Sequence, residues 1–441
     1  MSASRRQFLT LASIGAVGTG LALAGCSRSS GGNDDGGGDD GDGGTALVLT
    51  WWGNEVRNAN TTKLVAAYTA ANTDVAIEEQ PGEWASYWDR LATQTAGNDA
   101  PDVIQMDMNY IAEYGARGAL ANLADYGLDT SAFVEGTANS GDIDGASYGV
   151  NAGINTPVIL INPSIFEDLG VDIPDDTTWT WDDYAATAKE ITDASGGDVI
   201  GSSAFFSNDA LLSAWLRQNG KSLFTADGGL GFDAADITEW MNYNVGMFEA
   251  GALPSASQIT EDSSVGQDQS LFVTGKTAMS AWWSNQIEAL EGSAGTELQI
   301  LRFPSVAGDA LQRQAWYKAS MLWSVSARSE DPEAAVAFVN WLINSTESGE
   351  IGLAERGMPP NSEVSAAIQD KLSETQQRVS TFINDIVPEL GETPVVPPAG
   401  GGNQLGALLL RYGSDVLFGN QTVEDASQGF VDELNSSITS A

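Results

Sequence analysis

The residue types in this chain point to stacking and hydrogen bonding rather than to covalent catalysis. Histidine is absent, which excludes a Ser-His-Asp triad and every histidine metal site. Cys26 is the single cysteine, so an internal disulfide and a paired-cysteine zinc site are also excluded. By contrast, the chain contains 13 tryptophans and 10 tyrosines. Flat aromatic faces combined with amide and carboxylate groups suit the non-covalent recognition of a small polar molecule.

Several of these side chains follow directly after predicted strands. The buried strand pattern at residues 46–49 runs into Trp52, and the pattern at residues 103–106 ends at Asp107 and Tyr110. Helical patterns separate the strands, and this alternation implies a parallel sheet. Open α/β sheets bind ligands at the carboxyl ends of their strands, so we expect these three side chains on one rim.

A crossover between two lobes is predicted at residues 144–162. Two strand-like halves flank the polar residues Asn155 and Thr156, and the second half, residues 158–161, is wholly apolar. Asn162 followed by proline is typical of a helix start, which ends the strand there. A polar segment between two strands of this kind predicts a hinge and a cleft.

Three segments resemble extracellular solute-binding protein family 1, the sugar-binding proteins of ABC importers. Residues 100–123 match its "PDV…D…G.L..L" pattern, residues 144–162 its "DG..YG.P……YN" hinge strand, and residues 272–279 its "F..GK.AM" segment. Two positions depart from the pattern, because Asn151 replaces a usual proline and Ile161 a usual tyrosine. The resemblance extends over nearly all of residues 46–441.

The resemblance implies the two-lobed α/β fold of type II periplasmic binding proteins. Each lobe would be a mainly parallel sheet flanked by helices, and hinge crossovers would join the two. The expected N-terminal lobe comprises residues 45–152 plus 320–358. The expected C-terminal lobe comprises residues 153–319 plus 359–441.

A sugar ligand would define the site by its surfaces. A pyranose carries hydroxyls at its rim and C–H groups on its faces, so it needs aromatic plates and planar polar groups. For stacking we predict Trp52, Trp84, Tyr110, Trp282, Trp283 and Trp316. For the hydroxyls we predict Asn54, Glu83, Asp107, Asn109, Asn155 and Asn208. No catalytic residue and no cofactor is expected.

The N-terminus predicts export and a lipid anchor. Ser4-Arg5-Arg6-Gln7-Phe8-Leu9 is a twin-arginine pattern, and the apolar run after it is too short to span a membrane. Residues 23–26, Leu-Ala-Gly-Cys, resemble a bacterial lipobox. We therefore expect residues 1–25 to be a lipoprotein signal and Cys26 to carry lipid on the extracytoplasmic face of the cell membrane.

Residues 26–44 predict a flexible tether. The segment is rich in Gly, Ser and Asp, has no apolar residue after Cys26, and cannot bury a core. Its aspartates do not follow a calcium-loop spacing. The segment that begins at residues 140–145 resembles a calcium-binding loop more closely. However, it starts with Ser and has Asn151 in place of the closing Glu, so no metal site is predicted.

The formal net charge of −41 restricts the partners. Nucleic acids and anionic membrane surfaces would be repelled, so the expected partners are a sugar or oligosaccharide and the permease subunits of an ABC transporter. The acidity is typical of an exported protein or a salt-adapted proteome. Nothing in the sequence indicates oligomerisation, and we expect a monomer.

Two alternatives remain open. Acidic residues and aromatic clusters would also suit a cationic or zwitterionic solute, because such clusters cage quaternary ammonium groups. A lipid-anchored glycosidase would need two carboxylates about 5–10 Å apart. Neighbouring acidic pairs exist at residues 78–79 and 261–262, but adjacent strand residues face opposite sides. We therefore do not expect an enzyme.

Overall fold

The computed structural model describes residues 44–440. Residues 1–43 lie outside the described residues. They contain the predicted signal, the predicted lipidation site Cys26 and almost all of the predicted tether. Within the described part, no helix combines the length and apolar character needed to cross a membrane.

The strands form two larger sheets and two small strand pairs. They are β1 (Thr45–Trp52), β2 (Val75–Gly82), β3 (Val103–Met106), β4 (Asp142–Ile143), β5 (Ala146–Ser147), β6 (Val150–Asn151), β7 (Ile154–Asn155), β8 (Pro157–Ile161), β9 (Ile200–Ser202), β10 (Thr277–Trp283), β11 (Gln299–Leu301), β12 (Lys318–Ala319) and β13 (Leu322–Val325). The first sheet has the order β2-β1-β3-β13-β6, and the second has the order β11-β8-β10-β9. β7 pairs with β12, and β4 pairs with β5.

The predicted two-lobed α/β fold is confirmed, but both sheets are mixed rather than mainly parallel. In the first sheet β1 runs parallel to β2 and β3, whereas β13 runs antiparallel to β3 and β6. In the second sheet only the β10–β9 pairing is parallel. The antiparallel strands enter each sheet at the crossovers, where the chain arrives from the other sheet and not from a preceding helix of the same lobe.

Helices cover both sheets. They are α1 (Glu55–Ala71), α2 (Trp84–Ala96), α3 (Met108–Ala116), α4 (Pro163–Leu169), α5 (Trp181–Ala194), α6 (Asp209–Gln218), α7 (Ala234–Glu249), α8 (Ala256–Asp262), α9 (Ile287–Ala294), α10 (Pro332–Asn344), α11 (Thr346–Gly352), α12 (Ser362–Ile368), α13 (Glu374–Asp385), α14 (Gly402–Leu417) and α15 (Val423–Ser440). Because both faces of each sheet are covered, strands such as β3 and β8 are buried along their whole length.

The buried side chains separate into one cluster for the second sheet and two for the first. On β3, Val103 packs in the cluster beneath α10, whereas its neighbour Ile104 packs with Trp52 and Met106 on the other face. This alternation is the two-residue period of a strand. It places Trp52 on the face of the sheet that carries α2 and α3.

Three chain crossings, at residues 153–155 (the first), 316–320 (the second) and 356–358 (the third), are hydrogen-bonded to one another between the sheets. Ile154 and Met358 exchange backbone hydrogen bonds of 2.7 and 3.0 Å, and β12 pairs antiparallel with β7. The amide of Ser320 donates to the carbonyl of Gly153 at 2.8 Å. The buried Arg356 then ties the third crossing to the first sheet, donating to Gln105 Oε1 at 3.0 Å. The three crossings therefore form one hydrogen-bonded unit.

Gly153 is required by the packing of this unit. A Cβ atom there would lie 2.0 Å from the carbonyl oxygen of Arg356 and 2.6 Å from its carbonyl carbon, both backbone atoms that cannot rotate away. We expect Gly153→Ala to lower the free energy of unfolding by about 1–3 kcal/mol, the usual range for overpacking. Urea unfolding followed by circular dichroism measures the change.

Gly246→Ala is the matched control. This glycine lies in the interior of α7, is exposed, and would place its Cβ in open space. Alanine should therefore stabilise the protein by about 0.5–1 kcal/mol through helix propensity. Equal effects of the two substitutions would contradict the role of Gly153.

Candidate ligand-binding cleft

A cavity of about 90 Å³ lies where elements of both sheets meet the crossings. From the first-sheet side, Met108 and Asn109 of α3 line it; from the second-sheet side, α6 and Trp283 at the end of β10 line it. The second crossing contributes residues 316–319. We call this space the cleft cavity. Groups from distant parts of the chain converge there.

Lys318 is the central charged group of the cleft cavity. Its Nζ lies 3.3 Å from Asp107 Oδ2 and 5.0 Å from the centroid of the Trp283 ring. Asp107 comes from the end of β3, and its other oxygen caps α3 by accepting from the amide of Asn109 at 2.9 Å. The ammonium group therefore joins a first-sheet carboxylate to a second-sheet aromatic face.

Asp209, the first residue of α6, supplies a second carboxylate. Burial raises its pKa above the ordinary value, the negative charge of Asp107 acts in the same direction, and the charge of Lys318 opposes it. The side chain of Asn109 also favours the ionised form and lowers the pKa of this carboxyl. Asn109 and Asp209 line the cavity from its two sides.

An aromatic cluster adjoins the cleft cavity through the first turn of α3. Trp88 and Tyr110 stack at 3.7 Å with their planes 7° apart. Trp52 and Trp84 meet edge to face at 5.0 Å, and Trp84 is 46% exposed. Tyr110 follows Asn109 directly on α3, so the cluster is joined along the chain to a residue that lines the cavity.

The loop at residues 391–402 covers the cleft cavity. Thr393, Pro394, Val395 and Pro397 line it, and Val396 packs against the first-sheet cluster that contains Trp52. At the end of the loop, a Cβ on Gly402 would lie 2.8 Å from the Cα of Asn109. The loop leaves the second-sheet side at Leu390 and contacts the first-sheet side, so we call it the covering loop.

A larger cavity of about 450 Å³ lies beside Trp316 and Tyr317, which line both cavities. Its other walls are residues 134–136 and the segment from α13 to Gly391. Trp316 is 4% exposed and lies 5.2 Å from the guanidinium carbon of Arg217, which lines the cleft cavity. The second crossing therefore separates the two cavities.

The predicted ligand residues occupy different positions relative to the cleft cavity. Asn109, Trp283 and Trp316 line it, Asp107 binds its lysine, and Asn155 pairs with that lysine across β7 and β12. Trp52, Trp84 and Tyr110 belong to the adjoining aromatic cluster.

The remaining predicted residues have structural contacts of their own. The amide oxygens of Asn54 and Asn208 cap α1 and α6, and Trp282 packs against Phe272 in the second-sheet core. Glu83 is exposed at the start of α2, where its side chain does not cap the helix. Their roles in ligand binding stay predictions.

The most central residues of the cavity were not among the predicted ones. Lys318, Asp209 and Arg217 line it, and Trp88 stacks within the aromatic cluster. Lys318 is the single charged residue in the strand-like segment at residues 316–325, and this was the available signal for it. In the sequence, Asp209 resembles any acidic residue in the first turn of a helix, and no neighbouring residue indicates that it lines a cavity.

These features define a two-lobed binding protein with its cavity between the lobes. The model of the bacterial extracellular solute-binding protein family matches residues 52–347, and the chain belongs to that family.

Curated relatives match shorter stretches. An uncharacterized lipoprotein of Streptomyces antibioticus is 29% identical over 33% of this chain and 32% of its own length. An arabinooligosaccharide-binding protein of Halalkalibacterium halodurans is 26% identical over 35% of this chain and 34% of its own length. The chain thus spans about a third of the length of each of these relatives.

The fold is also that of solved binding proteins. A periplasmic oligogalacturonide-binding protein of Yersinia enterocolitica superimposes with a TM-score of 0.79, at 18% identity, over 90% of this chain and 99% of its own. At this identity the match establishes the fold alone.

Asp209 should weaken the folded state at neutral pH. Because its pKa is raised on folding, the folded protein binds this proton more tightly than the unfolded chain, and stability falls as the pH rises through the folded-state pKa. Asp209→Asn should therefore raise the thermal midpoint at pH 7. Each unit of pKa shift corresponds to about 1.4 kcal/mol. The gain should shrink toward pH 4, where the carboxyl becomes protonated.

Asp182→Asn provides the comparison. Asp182 lies in the first turn of α5, as Asp209 does in α6, but it is exposed. Removing its charge should cost about 0.3–1 kcal/mol of helix-dipole stabilisation. A lower midpoint for Asp209→Asn at pH 7 would show that ionised Asp209 stabilises the fold.

Proposed function

We propose that this protein is the substrate-binding lipoprotein of an ABC importer for a sugar or oligosaccharide. It would capture the ligand between its lobes by hinge closure and deliver it to a membrane permease. No reaction is part of this role, which fits its membership in a family of binding proteins.

The observation that carries the proposal is the composition of the cleft cavity. Trp283 and Trp316 supply aromatic rings, and Asn109 and Asp209 supply planar polar groups from opposite sides. The Oδ1 atom of Asn155 is buried without a hydrogen-bond partner among the described residues. Such an acceptor is costly unless a ligand or water satisfies it. Apolar plates with rim acceptors match the surfaces of a pyranose.

The size of the cavity supports hinge motion. Ligand pockets usually measure about 300–1,000 Å³, several times the space in the cleft cavity. A sugar ring therefore requires the lobes to separate or the covering loop to move. The three crossings provide the axis for such a motion, because backbone hydrogen bonds among them hold the two sides together.

The cellular arrangement follows from the N-terminal segment. The twin-arginine pattern and the residues before Cys26 support export and lipid anchoring on the extracytoplasmic face of the membrane. A curated relative is itself named a lipoprotein. We infer a monomer that reaches its permease on a tether.

The substrate is tested by thermal denaturation of the protein from residue 45 onward against mono- and oligosaccharides. A ligand that binds only the folded state raises the midpoint by mass action, by about 2.7 kcal/mol at a hundredfold excess over its Kd. We expect one class of saccharide to raise it without forming a product. Failure of every saccharide would contradict the proposed substrate, and product formation would indicate an enzyme.

Adjacent tryptophans on β10 test the site. Trp283 lines the cleft cavity, whereas Trp282 faces away and packs against Phe272. Trp283→Ala should raise the Kd for the identified saccharide about tenfold, a loss of about 1.4 kcal/mol measured by calorimetry. Trp282→Ala should lower the free energy of unfolding by about 3 kcal/mol and leave the Kd within about twofold. The reverse pattern would place the ligand elsewhere.

A further inference from the structure

The cleft cavity contains the elements of a cation-binding subsite. The Trp283 ring offers its face at 5.0 Å, Asp107 offers an oxygen at 3.3 Å, and the carboxylate of Asp209 is close enough to act on the same charge. Proteins bind ammonium groups with this combination of aromatic face and carboxylates. The group that occupies it is Lys318 of the chain itself.

The other cation of the cavity is held outside this subsite. Arg217 lies over the Trp316 ring and donates to the carbonyl oxygens of Gln314 at 3.1 Å and Glu392 at 2.6 Å. Its contacts are therefore with the base of the covering loop and not with Asp107 or Trp283. Among the described residues that line the cavity, Lys318 is therefore the only one whose positive charge lies near both Asp107 and Asp209.

We propose that Lys318 is a resident cation that fills the cationic subsite of the cleft and excludes ligands with a positively charged group. This inference rests on the proposed function and narrows its substrate class to saccharides without a positive charge. It also gives a reason to reject cationic and zwitterionic solutes, which the acidic composition would otherwise favour.

Electrostatics explains the restriction. A ligand ammonium would have to displace Lys318 from Asp107 and Trp283, or else sit beside it as a second positive charge. Like charges at close range in a partly buried site repel strongly, because the effective dielectric constant is far below that of water. A hydroxylated ligand without a positive charge leaves Lys318 in place and can use Asp209 as an acceptor.

Removing the side chain should create a site for a free amine. Lys318→Ala deletes three methylene groups and the ammonium, and n-propylammonium consists of equivalent atoms. In this variant, n-propylammonium should raise the thermal midpoint above that in equal sodium chloride. We expect its affinity to exceed that for wild type by about tenfold, in line with a cation–π contact and a charge-assisted hydrogen bond.

Three controls separate this effect from general ones. The uncharged n-propanol should not reproduce the shift, and Lys318→Met, which fills the space without charge, should not respond to the amine. Lys371→Ala should not respond either, because Lys371 pairs with Glu350 on the surface, with both side chains more than 40% exposed. A response in that variant would mean non-specific binding and would contradict the proposal.

Wild type provides a test that needs no variant. Glycine betaine, choline and n-propylammonium should not shift its midpoint relative to salt. Saturable binding of any of them to wild type would overturn the proposal, as would a folded Lys318→Ala protein that gains no affinity for the amine. Failure of all saccharides on wild type would instead refute the proposed function, whereas the amine response of Lys318→Ala would still establish the cationic subsite.

Discussion

The hydrogen bonding among the three chain crossings is the constraint on which the rest of the structure depends. β7 is paired on one edge with β12 and on the other with Met358, so the three chain crossings between the two sheets are held together by one narrow set of backbone bonds. Gly153 makes this possible by allowing the backbone of Arg356 to approach. The register of β12 in turn fixes Lys318 opposite Asn155, and with it the centre of the cleft cavity.

This geometry requires the charges of the cleft to be balanced locally. The chain carries a large excess of acid, yet the cavity combines Asp107 and Asp209 with Lys318 and Arg217. Buried charges are tolerated only when they are paired and hydrogen-bonded. Surface acidity therefore governs solubility and long-range repulsion and says little about the charge of the ligand, because the charge of the site is set by these four side chains.

Local signals in the sequence predicted local structure well, and they failed where distant segments meet. The start of α4 after Asn162 is present as predicted, because the cap involves residues within one turn. The pairing of Lys318 with Asp107 spans 211 positions and has no local pattern. The mixed sheet order likewise depends on which crossing delivers each strand. The sequence therefore predicted the two-lobed fold, but not the lysine that lines the cavity.

The covering loop links ligand entry to contacts that are not part of the ligand site. Gly402 lets the start of α14 rest on the backbone of Asn109, and Asn403 donates to Glu113 of α3 at 3.2 Å. Separating the lobes breaks these contacts along with the packing of Val396. In the proposed hinge motion, closure would restore them, so they would favour the closed form independently of the ligand. Selectivity among ligands would therefore come from the side chains that face the cavity. The contacts of the covering loop would instead determine how much of the binding free energy is needed to hold the lobes together.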